Sequence, residues 1–348
     1  MAQRNHEVSK VQRLLNDSGA LREPGWSRKL YQIYDRNDIK APKFRIKEWD
    51  YYLILSDSFA VALTVSDNGY MGLQSASLLL FGDTPWEHTE SILNAFPMGK
   101  LKMPSTTEAG NVSYHDKRLD MDFIKATDSR RLICNFKNFC DGKAFSCDIT
   151  LSEPDMDSLV IATPWVQNDK AFYYNRKINC MRASGCAEFD GKKYTFNPES
   201  DFGTLDWGRG VWTYDNRWYW GSGNAVIDGK PFGFNIGYGF GNTAAASENI
   251  IFYDGTGHKL DDVSFNIPVD SNGKKNYMKP WTFTSSDKRF EADFIPVLDR
   301  AAKIDVKLIS TDQHQVFGRM SGRAVLDNGT VLNFKDVLCF AEDVHNKY

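Results

Sequence analysis

The segment CMRASGCAEFDGKKYTF, residues 180–196, is answered later in the chain by FGRMSGRAVLDNGTVLNF, residues 317–334. Both carry R-x-S-G, then an alternating run, an Asp-containing turn and a second run that closes on Phe. Working outward, FSCDI (145–149) resembles FEADF (290–294), and ASLLLFGD (76–83) resembles SENIIFYDG (247–255). Trp49 and Trp218 open the two series. Four pairs in the same order point to an internal duplication.

The repeated unit is built from strands. KAFSCDITL (143–151) sets Phe145, Cys147, Ile149 and Leu151 against Ser146, Asp148 and Thr150, the period of a strand with one buried face. Asx-Gly pairs at Asn68-Gly69, Asp141-Gly142, Asp190-Gly191, Asp228-Gly229, Asn272-Gly273 and Asn328-Gly329 supply the positive φ that tight hairpins need. The fold expected is all-β: a tandem duplication of two lipocalin-like antiparallel β-barrels. Each copy would hold roughly eight strands, enough to close such a barrel. Two stacked sandwiches are the alternative. An irregular, partly helical N-terminal arm is expected over residues 1–43, with a short helix in SKVQRLLNDSGAL (9–21) and Trp26 as an anchor. The barrels are expected over 44–211 and 212–348.

Composition narrows the function. The 348 residues are 42% hydrophobic and 14% aromatic, with a formal net charge of -3 and dispersed Lys and Arg. Such a surface gives no general attraction to nucleic acid. MAQRNHEVSK opens no apolar leader, and no run reaches the roughly 18–20 apolar residues of a spanning helix. Six cysteines without a CxxC pair fit free thiols in a reducing, cytoplasmic compartment. The six histidines are scattered, so no metal is expected. With no nucleophile elbow, HExxH or P-loop, no cofactor is expected either.

Four features carry candidate chemistry. LDWGRGVWTYDNRWYWGSG (205–223) spans the expected junction and holds Trp207, Trp212, Trp218 and Trp220. Large aromatics there suit either a ligand wall or a packed seam. Asp206 in the same stretch is a candidate acid or a salt-bridge partner of Arg209. Asp206, Trp207 and Arg209 have no clear echo in DVLCFAED (336–343), the corresponding region of the second copy. In PFGFNIGYGFGN (231–242), glycines and Asn235 share the face opposite Phe232, Phe234 and Ile236. That face admits another element or a ligand. Glu248 and Asn249 lead into an apolar strand whose first-copy equivalents are Ser77 and Leu78. A carboxyl in such surroundings has its pKa raised and suits general acid work, whereas a strand-end Glu in solvent does not. His314, before the second R-x-S-G, is placed to shuttle protons or simply to cap and pack.

Together RIKEWDYY (45–52), LDWGRGVWTYDNRWYW (205–220), SENIIFYDG (247–255), HQVFGRMSG (314–322) and FAEDVHNKY (340–348) resemble the domain-of-unknown-function family 2804. GALREPGWSRKL (19–30) extends that resemblance into the arm. AFYYNRKI (171–178), Ser184-Gly185, Asp190-Gly191, the G-x-W from Gly210 to Trp212 and the W-x-W from Trp218 to Trp220 resemble the carotenoid hydratase family. Its relatives include tocopherol cyclase and the lipocalin-like Diels–Alderases. That wider resemblance implies tandem lipocalin-type barrels that hydrate, cyclise or isomerise lipophilic molecules without a redox cofactor. The catalytic acids of that group map to no unique positions here.

The resulting expectation is a small lipophilic or ring-containing ligand bound near the junction. Glu248, His314 or Asp206 would be acid or base. Trp207, Trp212, Trp218 and Trp220 would be walls, and Arg209, Asn235 and Asn249 orienting groups. A non-catalytic lipid or pigment carrier and a carbohydrate-binding or carbohydrate-active protein are the alternatives.

Overall fold

The computed structural model describes residues 5–306 and 309–347. They form a thirteen-stranded and a nine-stranded antiparallel sheet, each curled into a half-barrel, beside a two-stranded pair in the arm. The main path of the first sheet runs Trp86–Ala95, Met71–Leu80, Phe59–Asp67, Ile46–Leu55, Phe202–Val211, Asn168–Phe189, Lys143–Ser152, Ser129–Cys140, Leu119–Lys125, Val112–His115. The second runs Thr256–Lys259, Ile250–Tyr253, Lys230–Tyr238, Asp215–Ile227, Val331–Lys347, Ile309–Val325, Phe290–Val306, Trp281–Ser285, Val263–Asn266. In each, the chain leaves the middle by a meander, crosses to the far edge and returns until its last strand pairs with its first. The two orders coincide except that the first sheet adds Val112–His115 at its edge and three side strands. The repeated glycine and phenylalanine even face each other across equivalent hairpins, Gly185 against Phe196 and Gly322 against Phe334. This shared wiring is the duplication expressed in three dimensions.

The all-β tandem expected from the repeat is present, each copy a curled half-barrel, and among the described residues neither sheet pairs its edges. The arm forms no α-helix over 9–21. Gln12–Arg13 instead pairs in parallel with Gln32–Ile33, and only 3-10 turns occur, at Arg36–Asp38 and Lys43–Arg45. Leu14 and Leu15 are both buried, so neighbouring side chains need cover on opposite sides, which an amphipathic helix with one apolar stripe does not provide. Trp26 is buried, and its strand Gly25–Ser27 pairs with Leu159–Trp165.

Each half-barrel keeps a core on its concave side. Tyr52 and Phe123 lie far apart in strand order, yet their rings are 4.9 Å apart, so the first sheet curls toward that face. In the second, Phe232, Phe234, Phe290, Phe294 and Phe334 pack together. The half-barrels meet on their opposite faces, back to back. A β-bulge in Asn168–Phe189, with Cys180 at φ 58°, drives Asn179 across that seam. Asn179 Nδ2 donates to Ser222 Oγ at 2.9 Å, and Cys180 N–H to Asn224 Oδ1 at 2.9 Å. The glycine face of Lys230–Tyr238 makes room for it. A Cβ on Gly233 would sit 2.8 Å from Cys180 Sγ.

Candidate active site at the seam between the half-barrels

Alternation along Phe202–Val211 decides which junction residues meet. Thr204, Asp206, Gly208 and Gly210 face the seam; Leu205, Trp207, Arg209 and Val211 face the first half-barrel's own core. Asp206 and Arg209 are therefore on opposite faces and cannot pair. Asp206 Oδ1 instead accepts from Lys177 Nζ at 2.7 Å and Asn175 Nδ2 at 2.6 Å, and its Oδ2 from Trp49 Nε1 at 3.0 Å. Arg209, fully buried, binds Asp50 at 3.0 Å and the carbonyls of Trp49, Gly208 and Pro104. Its guanidinium lies over Trp207, 4.3 Å from the ring centroid, and Trp207 packs edge-on against Tyr34 and Tyr174. Arg209 thus has no donor left for a ligand, and neither it nor Trp207 reaches the seam.

The second copy does echo Asp206, contrary to expectation. Cross-strand register sets Tyr51, Asp206 and Lys177 in one row, and Trp220, Glu342 and Gln315 in the equivalent row. Trp218 Nε1 donates to Glu342 Oε1 at 2.9 Å, as Trp49 does to Asp206. Gln315 Nε2 donates to Glu342 Oε2 at 3.2 Å and to Tyr51 Oη at 3.3 Å. Lys177 Nζ lies 3.8 Å from the centroid of Trp220. The rows are related as the repeats are, with one decisive change: a cation beside Asp206, an amide beside Glu342. Burial without a neighbouring cation in hydrogen-bond contact pushes Glu342 up to about 7.

Glu248 completes the cluster from the end of the glycine face. It is fully buried. Its Oε1 accepts from Tyr173 Oη at 2.9 Å, while Oε2 has no hydrogen-bond partner among the described residues. A Cβ on Gly237 would stand 3.2 Å from Oε2, so only glycine leaves that oxygen clear. Burial raises the Glu248 pKa, opposed by Lys177 and by the Tyr173 hydrogen bond. The Tyr173 hydroxyl is pushed well up by burial and by Glu248. Asn235 fixes the surroundings: its Oδ1 accepts from Trp220 Nε1 at 2.6 Å, and its Nδ2 donates to Glu248 C=O at 2.7 Å.

Aromatic rings close one end. Trp212 packs edge-on against Trp49 and Trp218 at 5.7 and 5.3 Å, and Tyr173 stacks on Phe240 at 4.7 Å. Trp218 is partly exposed at this end. Trp220 is used up by Lys177, Tyr51 and Phe340. Asn249 is committed to backbone, accepting from Gly237 N–H and donating to Asp261 C=O.

His314 lies elsewhere. Its neighbour Gln315 faces the seam, so His314 faces the other way, stacked on Tyr277 at 3.8 Å with Nδ1 2.7 Å from Asp299 Oδ2. There it lines an open cleft of about 510 Å³ with Lys275 and Asp312. The seam thus gathers Asp206, Glu248, Asn235, Trp212, Trp218 and Trp220, and leaves out Trp207, Arg209 and His314. Sequence reading missed Lys177, Glu342, Gln315, Tyr51 and Tyr173. The signal lay in the repeat: Glu342 stands after the second R-x-S-G nearly as far as Asp206 stands after the first.

The sequence matches the family described as Domain of unknown function (DUF2804) over residues 5–348. The chain belongs to the DUF2804 family. No curated protein matches this DUF2804 chain significantly. Among solved structures it is similar to kievitone hydratase from Nectria haematococca, with a TM-score of 0.54 and 12% identity, over 91% of this chain and 93% of that one. It is also similar to a Nitrosomonas europaea protein provisionally named AttH, with a TM-score of 0.49 and 12% identity, over 90% and 96%. The first likeness is one of fold, and the DUF2804 chain shares that architecture along nearly its whole length. Among the described residues, no helix is long and apolar enough to cross a membrane.

Proposed function

We propose that the seam is an acid–base site for a small lipophilic or ring-containing molecule. The reaction class is hydration, cyclisation or isomerisation without a redox cofactor. The observation that carries this reading is Glu248: wholly buried, held by Tyr173 through one oxygen and, among the described residues, unpartnered at the other. Burial raises the pKa of a carboxyl so placed and so favours its neutral, proton-donating form. In a hydration, Glu248 Oε2–H would protonate an alkene carbon, water would add to the resulting cation, the proton shed by that water would pass to ionised Glu342, and loss of a proton from Glu342 to solvent with uptake of one at Glu248 would reset the site. Asp206, neutralised by Lys177, would hold the field of the site fixed. The faces of Trp49, Trp212 and Trp218 would confine the substrate and stabilise developing positive charge.

The similarity to a hydratase in fold is compatible with this chemistry. The buried setting of all three carboxylates favours a small apolar molecule over a sugar chain, which would call for an open groove. A lipid or pigment carrier would use the same walls without needing Glu248. The test is mass spectrometry of small molecules retained by the native protein, followed by turnover assays on them. Glu248→Gln is expected to retain the ligand and lose about 100-fold or more in turnover. Equal retention with no chemistry by either protein would instead establish a carrier.

A further inference from the structure

Three segments converge at the Trp212 end of the seam: the turn Lys43–Arg45, the hairpin at Asn68-Gly69 and the loop 96–102. Met98 N–H donates to Gly69 C=O at 3.1 Å, and a Cβ on Gly69 would meet the Phe44 carbonyl at 2.6 Å. Trp212 N–H donates to Arg45 C=O at 3.3 Å, which ties this surface to the aromatic end of the proposed site.

The loop FPMGKLK (96–102) holds three non-glycine residues in the left-handed region: Phe96 at φ 50°, Met98 at 47° and Lys102 at 49°. Such backbone is costly and persists only when the surroundings impose it. Here Pro97 is buried against Gly72, and Asp67 accepts from Gly69 N–H at 3.0 Å and Gly99 N–H at 2.6 Å. The result is display. Phe96 is 59% exposed, Met98 37% and nearby Phe44 47%. Ordinary burial would have turned these side chains inward, so the rigid loop holds apolar groups in water.

The charge carried by the two displaying segments is of one sign, the Asp67 carboxylate beneath them being buried. Residues 39–46 hold Lys40, Lys43 and Arg45, and residues 91–107 hold Lys100 and Lys102; neither segment contains an Asp or Glu, in a chain whose net charge is -3. Projecting apolar side chains ringed by Lys and Arg match the two layers of an anionic bilayer surface, acyl boundary and phosphate.

We propose that this surface docks the protein onto an anionic phospholipid bilayer, with Phe44, Phe96 and Met98 inserted and the surrounding lysines on the headgroups. Docking would set the Trp212 end of the seam against the lipid, where a lipophilic molecule enters without crossing water. The inference stands on the loop and its charge, independently of catalysis at Glu248.

The test is co-sedimentation of the full chain with vesicles of phosphatidylcholine alone and of phosphatidylcholine with phosphatidylserine. Binding is expected only to the phosphatidylserine vesicles and should weaken as salt rises. Lys100→Glu with Lys102→Glu should reduce it about tenfold or more. Phe96→Asn with Met98→Asn should do the same, asparagine being chosen because it accepts left-handed backbone. Lys192→Glu with Lys193→Glu, on a distant exposed hairpin, should leave binding unchanged. An unaltered circular dichroism spectrum identifies loop variants that remain folded; the exposed lysine pair keeps the test available if the asparagine pair does not. Absence of binding to either vesicle at low salt overturns the proposal, as does binding that ignores the loop substitutions. Loop-dependent self-association, or loop-dependent capture of an acidic protein, without vesicle binding overturns it too.

Discussion

Lys177 is 1% exposed, and its charge is answered by Asp206 at 2.7 Å and by the face of Trp220. Removing one partner of such a pair strands the other in low dielectric. Lys177→Met is therefore expected to cost about 3–5 kcal/mol in chemical denaturation, much of it recovered by adding Asp206→Asn. A cost under about 1 kcal/mol would show the pair to be solvated. Glu342 gives a prediction of opposite character. Its folded pKa of about 7 lies above the ordinary carboxylate value of 4.5, so the folded state holds the proton more tightly. Its stabilising contribution is full below pH 4.5 and is lost as pH rises through about 7. Denaturation of Glu342→Gln against wild type across pH 4–8 should show the variant gaining relative stability as pH rises. A difference independent of pH would contradict the burial argument. Alternation alone put Asp206 and Arg209 on opposite faces, so their separation was legible in the sequence. The partner of Asp206 was not, because Lys177 comes from a strand whose register is set by a bulge at residues 179–180.

At the level of elements, the strand Phe202–Val211 and its counterpart Val331–Lys347 explain why the repeat was visible while the site was not. The R-x-S-G hairpins are local, and their turn and strand requirements write themselves into short motifs. The seam is assembled from seven strands distant in sequence, and its paired rows emerge only when cross-strand register is known. Gly208 is the position where register becomes chemistry. A Cβ there would lie 1.9 Å from the Trp49 ring, whose Nε1 holds Asp206. Gly208→Ala is expected to destabilise by about 1–3 kcal/mol through overpacking. It should also move the fluorescence of Trp49, measured in a variant with the other seam tryptophans replaced by phenylalanine. Unchanged stability would mean the ring yields freely. The helix expected in the arm failed for a related reason: Leu14 and Leu15 answer to cover supplied from elsewhere, which local periodicity does not encode.

On the scale of the molecule, the two half-barrels are joined by buried charge and hydrogen bonds set within apolar contacts, among them Phe81 against Phe317 and Tyr173 against Phe240. Asn179, Gln315, Lys177 and Tyr173 each bridge from one copy to the other. Buried polar groups left unpaired are costly, so separation of the copies should be strongly opposed. Thermal unfolding is expected to be a single transition, coincident by tryptophan fluorescence and far-ultraviolet circular dichroism. Two resolved transitions would mean the seam is dispensable to either half. The same buried polarity underlies the functional reading, which needs a neutral carboxyl waiting at Glu248. Infrared spectroscopy of the protein with isotope-labelled glutamate reads that proton directly, with no substrate required. The account predicts a protonated carboxyl signal at neutral pH with two components, one lost in Glu248→Gln and one that titrates near pH 7 and is lost in Glu342→Gln, while a variant altered only at an exposed glutamate keeps both. A spectrum at neutral pH left unchanged by Glu248→Gln would contradict it.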